Sequence, residues 1–182
     1  MTFADLTTTL RVRQWTKNIL VFAALVFSGN AGSVRNTAQT VLAFILFSLV
    51  SSSVYILNDL GDISRDRSHP VKRNRPIASG RVSRGMARTL TVTLTIVSIG
   101  GAFLLDTAFG IVAASYFALQ VAYTFVFKFM AILDVFVISF GFVLRVVAGA
   151  MVIHVVISNW ILACTMLLAL FLGLSKRRNE LT

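Results

Sequence analysis

Apolar residues gather in six blocks along the chain, at positions 19–27, 38–57, 89–105, 109–127, 132–157 and 160–175. A helix needs roughly 20 apolar residues to cross a bilayer core, and five of the blocks come close to that length or exceed it. The first is short, and residues 15–18 before it with the small residues of 28–33 behind it complete a crossing. Between the second and third blocks runs a long polar stretch, 58–88, which holds both prolines of the chain. The pattern predicts an all-α fold: a polytopic membrane helix bundle of about six transmembrane helices, with residues 1–182 forming a single transmembrane domain.

Composition agrees with that reading. The chain is 57% hydrophobic and 13% charged, where a soluble domain carries roughly 25% charged residues. A net charge of +10 would suit nucleic acid, but the basic residues sit in clusters between apolar blocks, which sets that partner aside. Their placement orients the chain instead. With the N-terminus in the cytoplasm, Arg11, Arg13 and Lys17 are inside, as are the basic residues from Arg65 to Arg88, Lys128, and the run Lys176, Arg177, Arg178; Arg35 alone lies outside. The expected location is the inner (plasma) membrane, with the long polar loop on the cytoplasmic face. Cys164 is the single cysteine, so an intrachain disulfide is excluded. The polar, Thr-rich start does not resemble a cleaved leader, and the first membrane helix is expected to act as the targeting signal. Self-association is left open.

The chemistry concentrates where the second block ends, in the run Asn58, Asp59, Leu60, Gly61, Asp62, Ile63, Ser64, Arg65, Asp66. Aspartates at i, i+3 and i+7 fall within about 60° of one another on a continuous helix. Carboxylates so placed repel each other unless a cation sits among them, and Mg²⁺ suits them because it takes oxygen ligands and bridges carboxylates to phosphates. The plainer alternative is a solvated helix end whose aspartates pair with Arg65 and Arg67. Position at the mouth of a membrane bundle favours the metal, with Asp59, Asp62 and Asp66 as its ligands and catalytic residues.

The next segment, from Arg67 to Gly80, cannot be one helix, since Pro70 and Pro76 forbid it. A basic loop beside an acidic helix end makes a site complementary to polyphosphate: the metal takes one phosphate group, Lys and Arg take others. Part of this charge, notably Arg81, Arg84 and Arg88, is explained by orientation or by anionic lipid. Lys72 and Arg75, framed by the prolines, are explained less well that way.

These residues resemble a known family. Asn-Asp-x-x-Asp-x-x-x-Asp at a membrane helix end is similar to the first aspartate-rich motif of the UbiA-type intramembrane prenyltransferases, which are all-helical and use Mg²⁺ and a diphosphate substrate. The extended form, His69-Pro70-x-Lys72-x-x-Arg75-Pro76-Ile77-Ala78-Ser79-Gly80, resembles the decaprenyl-phosphate phosphoribosyltransferase branch, which serves cell-wall arabinan synthesis. Three further stretches are similar to that branch: Arg13 to Asn18 before the first helix, Asp134 to Gly149 in the fifth, and Lys176-Arg177-x-x-Glu180 after the sixth. Family members usually have about nine membrane helices, so the resemblance implies that this chain is the N-terminal two-thirds of a UbiA-like fold.

The resemblance implies a membrane-embedded phosphoribosyltransferase. Its donor is phosphoribosyl diphosphate, its acceptor a polyprenyl phosphate, and Mg²⁺ on the aspartates stabilises the leaving diphosphate. Lys72 and Arg75 are assigned to donor phosphates and Lys17 to the lipid phosphate, with Gln14, Asn58, Tyr123, Lys128, Lys176, Arg177 and Glu180 as further substrate contacts. Two alternatives stay open: a UbiA-type enzyme moving a prenyl group onto an aromatic ring, and a non-enzymatic membrane scaffold or transporter fragment. Asp134 and Arg145, eleven positions apart, return to nearly one helix face. Arg145 then faces the bundle interior or a wet cavity, and a structural role is favoured for it. His154, near the outer face, is expected to have no catalytic part.

Overall fold

The computed structural model describes residues 2–181, with the side chains of all but 129, 131, 176 and 179–181. Helices α1 (Phe3–Thr9), α2 (Ala23–Phe27), α3 (Val34–Gly61), α4 (Ile63–Ser68), α5 (Arg84–Leu105), α6 (Thr107–Phe125), α7 (Ala131–Val152) and α8 (Asn159–Leu181) follow one another, and no strand occurs among the described residues. The all-α expectation is met. Val34–Gly61, Arg84–Leu105, Thr107–Phe125 and Ile132–Val152 are each long and apolar enough to cross a membrane, and Asn159–Ser175 is a shorter apolar helix. Polar caps start several of them: Ser33 accepts from the Asn36 N–H, Ser83 from Met86, and Asp106 from Phe109. Such caps satisfy amides that the first turn leaves without partners.

The first block is built differently from a regular helix. Val12–Phe22 is a 3₁₀ helix that passes into the single turn and a half of α2. Long 3₁₀ runs are uncommon, but they rise about 2.0 Å per residue against 1.5 Å for an α-helix. Residues 12–27 therefore reach about 30 Å, the thickness of the hydrocarbon core, which explains how so short an apolar block extends through the bundle.

Buried contacts hold this unusual geometry. The indole of Trp15 donates to the Ser52 hydroxyl at 3.0 Å, the Asn18 amide donates to Ser48 at 3.0 Å, and Ser52 donates to the Leu10 carbonyl at 2.7 Å. The serines of α3 thus act as hydrogen-bonding glue, which an apolar surrounding rewards. On the other side, Gly149 of α7 meets the Val21 carbonyl so closely that a Cβ would overlap its oxygen. Glycine is required there by close approach, not by backbone angle.

Block five runs apolar to residue 157, yet α7 stops at Val152. His154 takes the left-handed conformation, φ +53°, with its N–H donating to the Met151 carbonyl and that of Val155 to Ala150. This is a Schellman stop, a position glycine usually fills. Val92, Ile96, Val97 and Leu104 on α5 are more than half exposed. At steps of four, one and seven residues they fall within about 140° of one another around the helix, which marks a face turned to lipid.

Candidate active site

Seven chain segments end at the same face of the bundle: the C-terminus of α3, α4, the loop after it, the residues before the 3₁₀ run, the turn after α6, the start of α7 and the end of α8. The acidic motif lies at their meeting point. On one straight helix Asp59 and Asp66 would stand about 10 Å apart along the axis. The helix instead breaks after Gly61, where Asp62 takes φ −104°, ψ 12° before α4 begins. That break folds the two carboxylates toward each other, and the Arg75 Nη1 touches both, Asp59 Oδ1 at 3.1 Å and Asp66 Oδ2 at 2.8 Å. Asp59 and Asp66 are 4% and 3% exposed.

Arg75 is held in place by its own loop. The two residues before the prolines, His69 and Arg75, are extended as proline demands. Ile77 and Val82 are buried beside Ile56, Ile63 and Ala87, and Ala78 is buried as well. The Arg67 Nε donates to the Ala78 carbonyl at 2.9 Å, and the Val82 N–H to Pro76 at 2.9 Å. Apolar anchoring on the helix ends thereby aims a charged side chain into the acidic pair.

A second guanidinium completes the cluster. Arg11 donates to Asp59 Oδ1 and lies 5.0 Å above the Tyr55 ring. Its backbone is left-handed, φ 51°, which costs an L residue about 1–2 kcal/mol. Strain of this kind persists where the surroundings demand it. The sequence marks Arg11 only as one more cytoplasmic cation, and nothing in its spacing distinguishes it from Arg13. A third latch pairs Arg81 with Asp5 at 3.0 Å. Hydrogen bonds from Thr2, followed by the charge of Arg81, hold the Asp5 carboxyl below its ordinary range.

Asp62 faces elsewhere. It pairs with the Lys128 Nζ at 2.8 Å and lies 3.8 Å from Arg65. Among the described residues no three His, Cys, Asp or Glu side chains gather as one metal-binding group. The structure joins two aspartates of the motif and sets the third apart, because the helix assumed in the spacing argument is interrupted at Asp62 itself. The pair alone still fits a hard divalent cation. Its donors are carboxylate oxygens, and a cationic group already sits between them.

Beyond Asp62 opens a cavity of about 590 Å³. Lys17, Lys72, Tyr123, Lys128, Asp134 and Arg177 form its polar end, while Ile138, Phe142 and Leu172 line the part between α7 and α8. Tyr123 donates to Asp134 Oδ1 at 2.8 Å, and the Arg177 Nη1 approaches Asp134 Oδ2 at 3.0 Å. Lys17, Lys72, Tyr123, Lys128 and Arg177 are thus brought to one space. Asn58 and Gln14 are half-buried on flanking segments. Lys176 and Glu180 lie outside the described side chains. Asp134 and Arg145, expected on one face, belong to different neighbourhoods. Arg145 is 4% exposed and donates to Asn18 Oδ1 at 2.7 Å, the Gly141 carbonyl at 2.5 Å and the Tyr116 hydroxyl at 2.9 Å. His154 is not part of the Asp59–Asp66 cluster and instead lies 3.4 Å from Asp106.

A bundle of membrane-length helices with a buried carboxylate–guanidinium cluster at one end defines a class of intramembrane helical protein. The chain belongs to the UbiA prenyltransferase family, whose pattern it matches over residues 19–176. It is 38% identical over 176 residues to the decaprenyl-phosphate phosphoribosyltransferase of Mycobacterium tuberculosis, covering 94% of this chain and 58% of that protein. The enzyme of that name from Mycolicibacterium smegmatis is 39% identical over 176 residues, covering 94% and 55%. The chain thus spans little more than half the length of these relatives. Its fold is similar to that of a UbiA homologue from Archaeoglobus fulgidus bound to DMAPP and Mg²⁺, with a TM-score of 0.73, 19% identity, and coverage of 90% of this chain and 59% of that one.

Proposed function

We propose that the protein transfers phosphoribose from phosphoribosyl diphosphate to a polyprenyl phosphate, at the cytoplasmic face of the inner membrane. The observation that carries this reading is the adjacency of two unlike sites. The Asp59–Asp66 pair with Arg75 suits a metal-bound diphosphate, and the cavity beside it suits an amphiphile with an anionic head and an apolar tail. The relatives named above are, by name, decaprenyl-phosphate phosphoribosyltransferases, which supports this reading.

Asp59 and Asp66 would hold a Mg²⁺ ion, whose chemical contribution is Lewis-acid stabilisation of the departing diphosphate. Lys72 and Arg75 bind the donor's phosphates. Lys17 and Lys128, at the polar end of the cavity, bind the acceptor phosphate, while Phe142 and Leu172 receive the tail. A phosphate monoester oxygen is nucleophilic near neutral pH, so attack on the anomeric carbon asks only for positioning and needs no strong base. The apolar walls keep water from competing. Tyr123, fixed on Asp134, borders the space for the ribose.

The test is a transfer assay on the reconstituted protein. Label from phosphoribosyl diphosphate should enter a lipid fraction when polyprenyl phosphate and Mg²⁺ are present. Transfer of a labelled prenyl group to an aromatic acid, with no transfer of phosphoribose, would reassign the site to prenyl chemistry. No turnover with either donor would leave a scaffold.

A further inference from the structure

Two carboxylates sealed from water need compensation, since an unpaired buried charge is costly. Asp59 and Asp66 receive it from Arg11 and Arg75, and the formal charges of the four groups cancel. The two arginines are not equivalent. Of the two acids Arg11 touches Asp59, and it is fixed by a strained backbone and by the Tyr55 ring. Arg75 Nη1 stands between both acids, where a cation shared by the pair must stand. Its side chain is 27% exposed, so it can leave toward water without disturbing the buried Ile77 and Ala78 behind it.

We propose that Arg75 is an exchangeable counter-cation: it joins Asp59 to Asp66 while no metal is bound, a divalent cation replaces it between the two carboxylates, and the released guanidinium becomes a phosphate ligand. This rests on the reading of the acid pair as a metal site, but goes beyond it, because such a site could bind metal with Arg75 in place.

Charge gives the exchange a consequence. With Arg75 on the acids the cluster is neutral and offers a diphosphate little attraction. Once a divalent cation has taken its place, the same groups carry a surplus of two positive charges, one of them on a guanidinium turned outward. Diphosphate binding then follows metal binding, or accompanies it, and does not precede it. Arginine suits the task better than lysine. Its planar fork can bridge two acids and later grip a phosphate through paired N–H groups.

The experiment titrates Mn²⁺, visible by electron paramagnetic resonance and similar to Mg²⁺ in its taste for oxygen ligands, into the protein in lipid nanodiscs without donor. Arg75→Gln should bind Mn²⁺ about tenfold or more tightly than the wild type, because a charge-assisted competitor has gone. At saturating Mn²⁺ the same variant should bind inorganic diphosphate about tenfold more weakly, because a phosphate ligand has gone. Opposite signs in the two titrations are the signature, since a merely structural loss weakens both. Arg75→Lys, which keeps the charge and loses the fork, should show a smaller Mn²⁺ gain and serves if the glutamine variant does not fold. Arg73→Gln, which removes a charge from the same loop, should leave Mn²⁺ affinity unchanged. Unchanged or weaker Mn²⁺ binding in Arg75→Gln, or an equal gain in Arg73→Gln, would overturn the exchange while leaving the metal site standing. Absence of Mn²⁺ binding in every variant, with and without inorganic diphosphate, would overturn the metal site and the exchange together.

Discussion

Asn18 and Arg145, 127 positions apart, meet in the interior through a 2.7 Å hydrogen bond from the guanidinium to the amide oxygen. Among the described residues the acceptors that Arg145 reaches are neutral, and the Tyr116 and Phe142 rings lie 4.9 Å and 5.3 Å from its guanidinium carbon. The charge is delocalised over a fork and spread across oxygens and aromatic faces, which is how an arginine is accommodated away from water. The bond ties α7 to the 3₁₀ segment that carries Lys17 and follows Arg11. Arg145 therefore anchors that segment against α7.

A double-mutant cycle checks this. Asn18→Leu leaves the guanidinium short of an acceptor, and Arg145→Met leaves the Asn18 and Tyr116 oxygens short of a donor, each at about 1–3 kcal/mol. Removing both partners should cost less than the two changes added, with a coupling of about 0.5–3 kcal/mol. Denaturant titration of the protein in mixed micelles measures it. Additive effects would mean that the pair carries no load.

Gly149→Ala tests the close approach on the same helix. The new methyl would overlap the Val21 carbonyl, so α7 and the 3₁₀ run must part. Overpacking of this kind costs about 1–3 kcal/mol, occasionally more. Gly32→Ala, where a Cβ meets nothing within 4 Å, should leave thermal stability unchanged, and equal melting of the two variants would contradict the packing described.

Much of this was legible in the sequence. The apolar blocks mark the helices because lipid tolerates little else along a span, and the Asp motif with the proline-framed loop marks the site because both residue types are conspicuous there. What stayed hidden are backbone choices decided by distant contacts. The block at 19–27 reads as a short helix, but its first part, to Phe22, belongs to a 3₁₀ run held by contacts at Gly149 and Asn18, and only Ala23–Phe27 is α-helical. Residues 153–157 are apolar enough to extend α7, but His154 turns the chain. The i, i+3, i+7 spacing puts three aspartates on one face, but the break at Asp62 pairs two and sends the third to Lys128. Arg11 was invisible because its role comes from a left-handed φ, which no residue but glycine announces.

Orientation is checked from outside the membrane. Single cysteines introduced at Thr107 and Ser158 in a Cys164→Ser background should react with an impermeant maleimide on intact cells, and one at Ser68 should not. Labelling at Ser68 would put the acidic cluster on the far side from a cytosolic donor.

Asp59→Asn removes an acid shared by Arg11 and Arg75. Donor binding and turnover should fall more than about a hundredfold, beyond the 10–100-fold typical of losing an outer partner of a metal. Asp62→Asn should also nearly abolish turnover, through the loss of its Lys128 contact. Chelation of divalent cations should stop turnover and added Mg²⁺ restore it. Asp106→Asn should be close to silent, since asparagine caps a helix as well as aspartate and the residue lies at the other end of the bundle. If Asp106→Asn damaged turnover as much as Asp59→Asn, the acid pair would not be the reacting site.

Lys72 separates the phosphoribosyl reading from a loop that only orients the chain. It follows Pro70, opens the short 3₁₀ turn Lys72–Asn74, and lines the cavity within the group that includes Lys17 and Lys128. Bound to donor phosphate, it makes charge-assisted hydrogen bonds worth roughly 1.5–3 kcal/mol. Lys72→Ala should then raise the KM for phosphoribosyl diphosphate about tenfold or more, by the same conversion, with little change for the lipid acceptor. Arg84→Ala and Arg88→Ala remove equal charge from the start of α5 and should leave both constants unchanged. A loop that serves only as a cytoplasmic anchor predicts another pattern, in which all of these changes lower the amount of inserted protein alike and none alters donor kinetics. Initial-rate measurements at varied donor, normalised to inserted protein, distinguish the two, because an anchor acts on how much enzyme is present and a phosphate ligand acts on how tightly each molecule holds its donor.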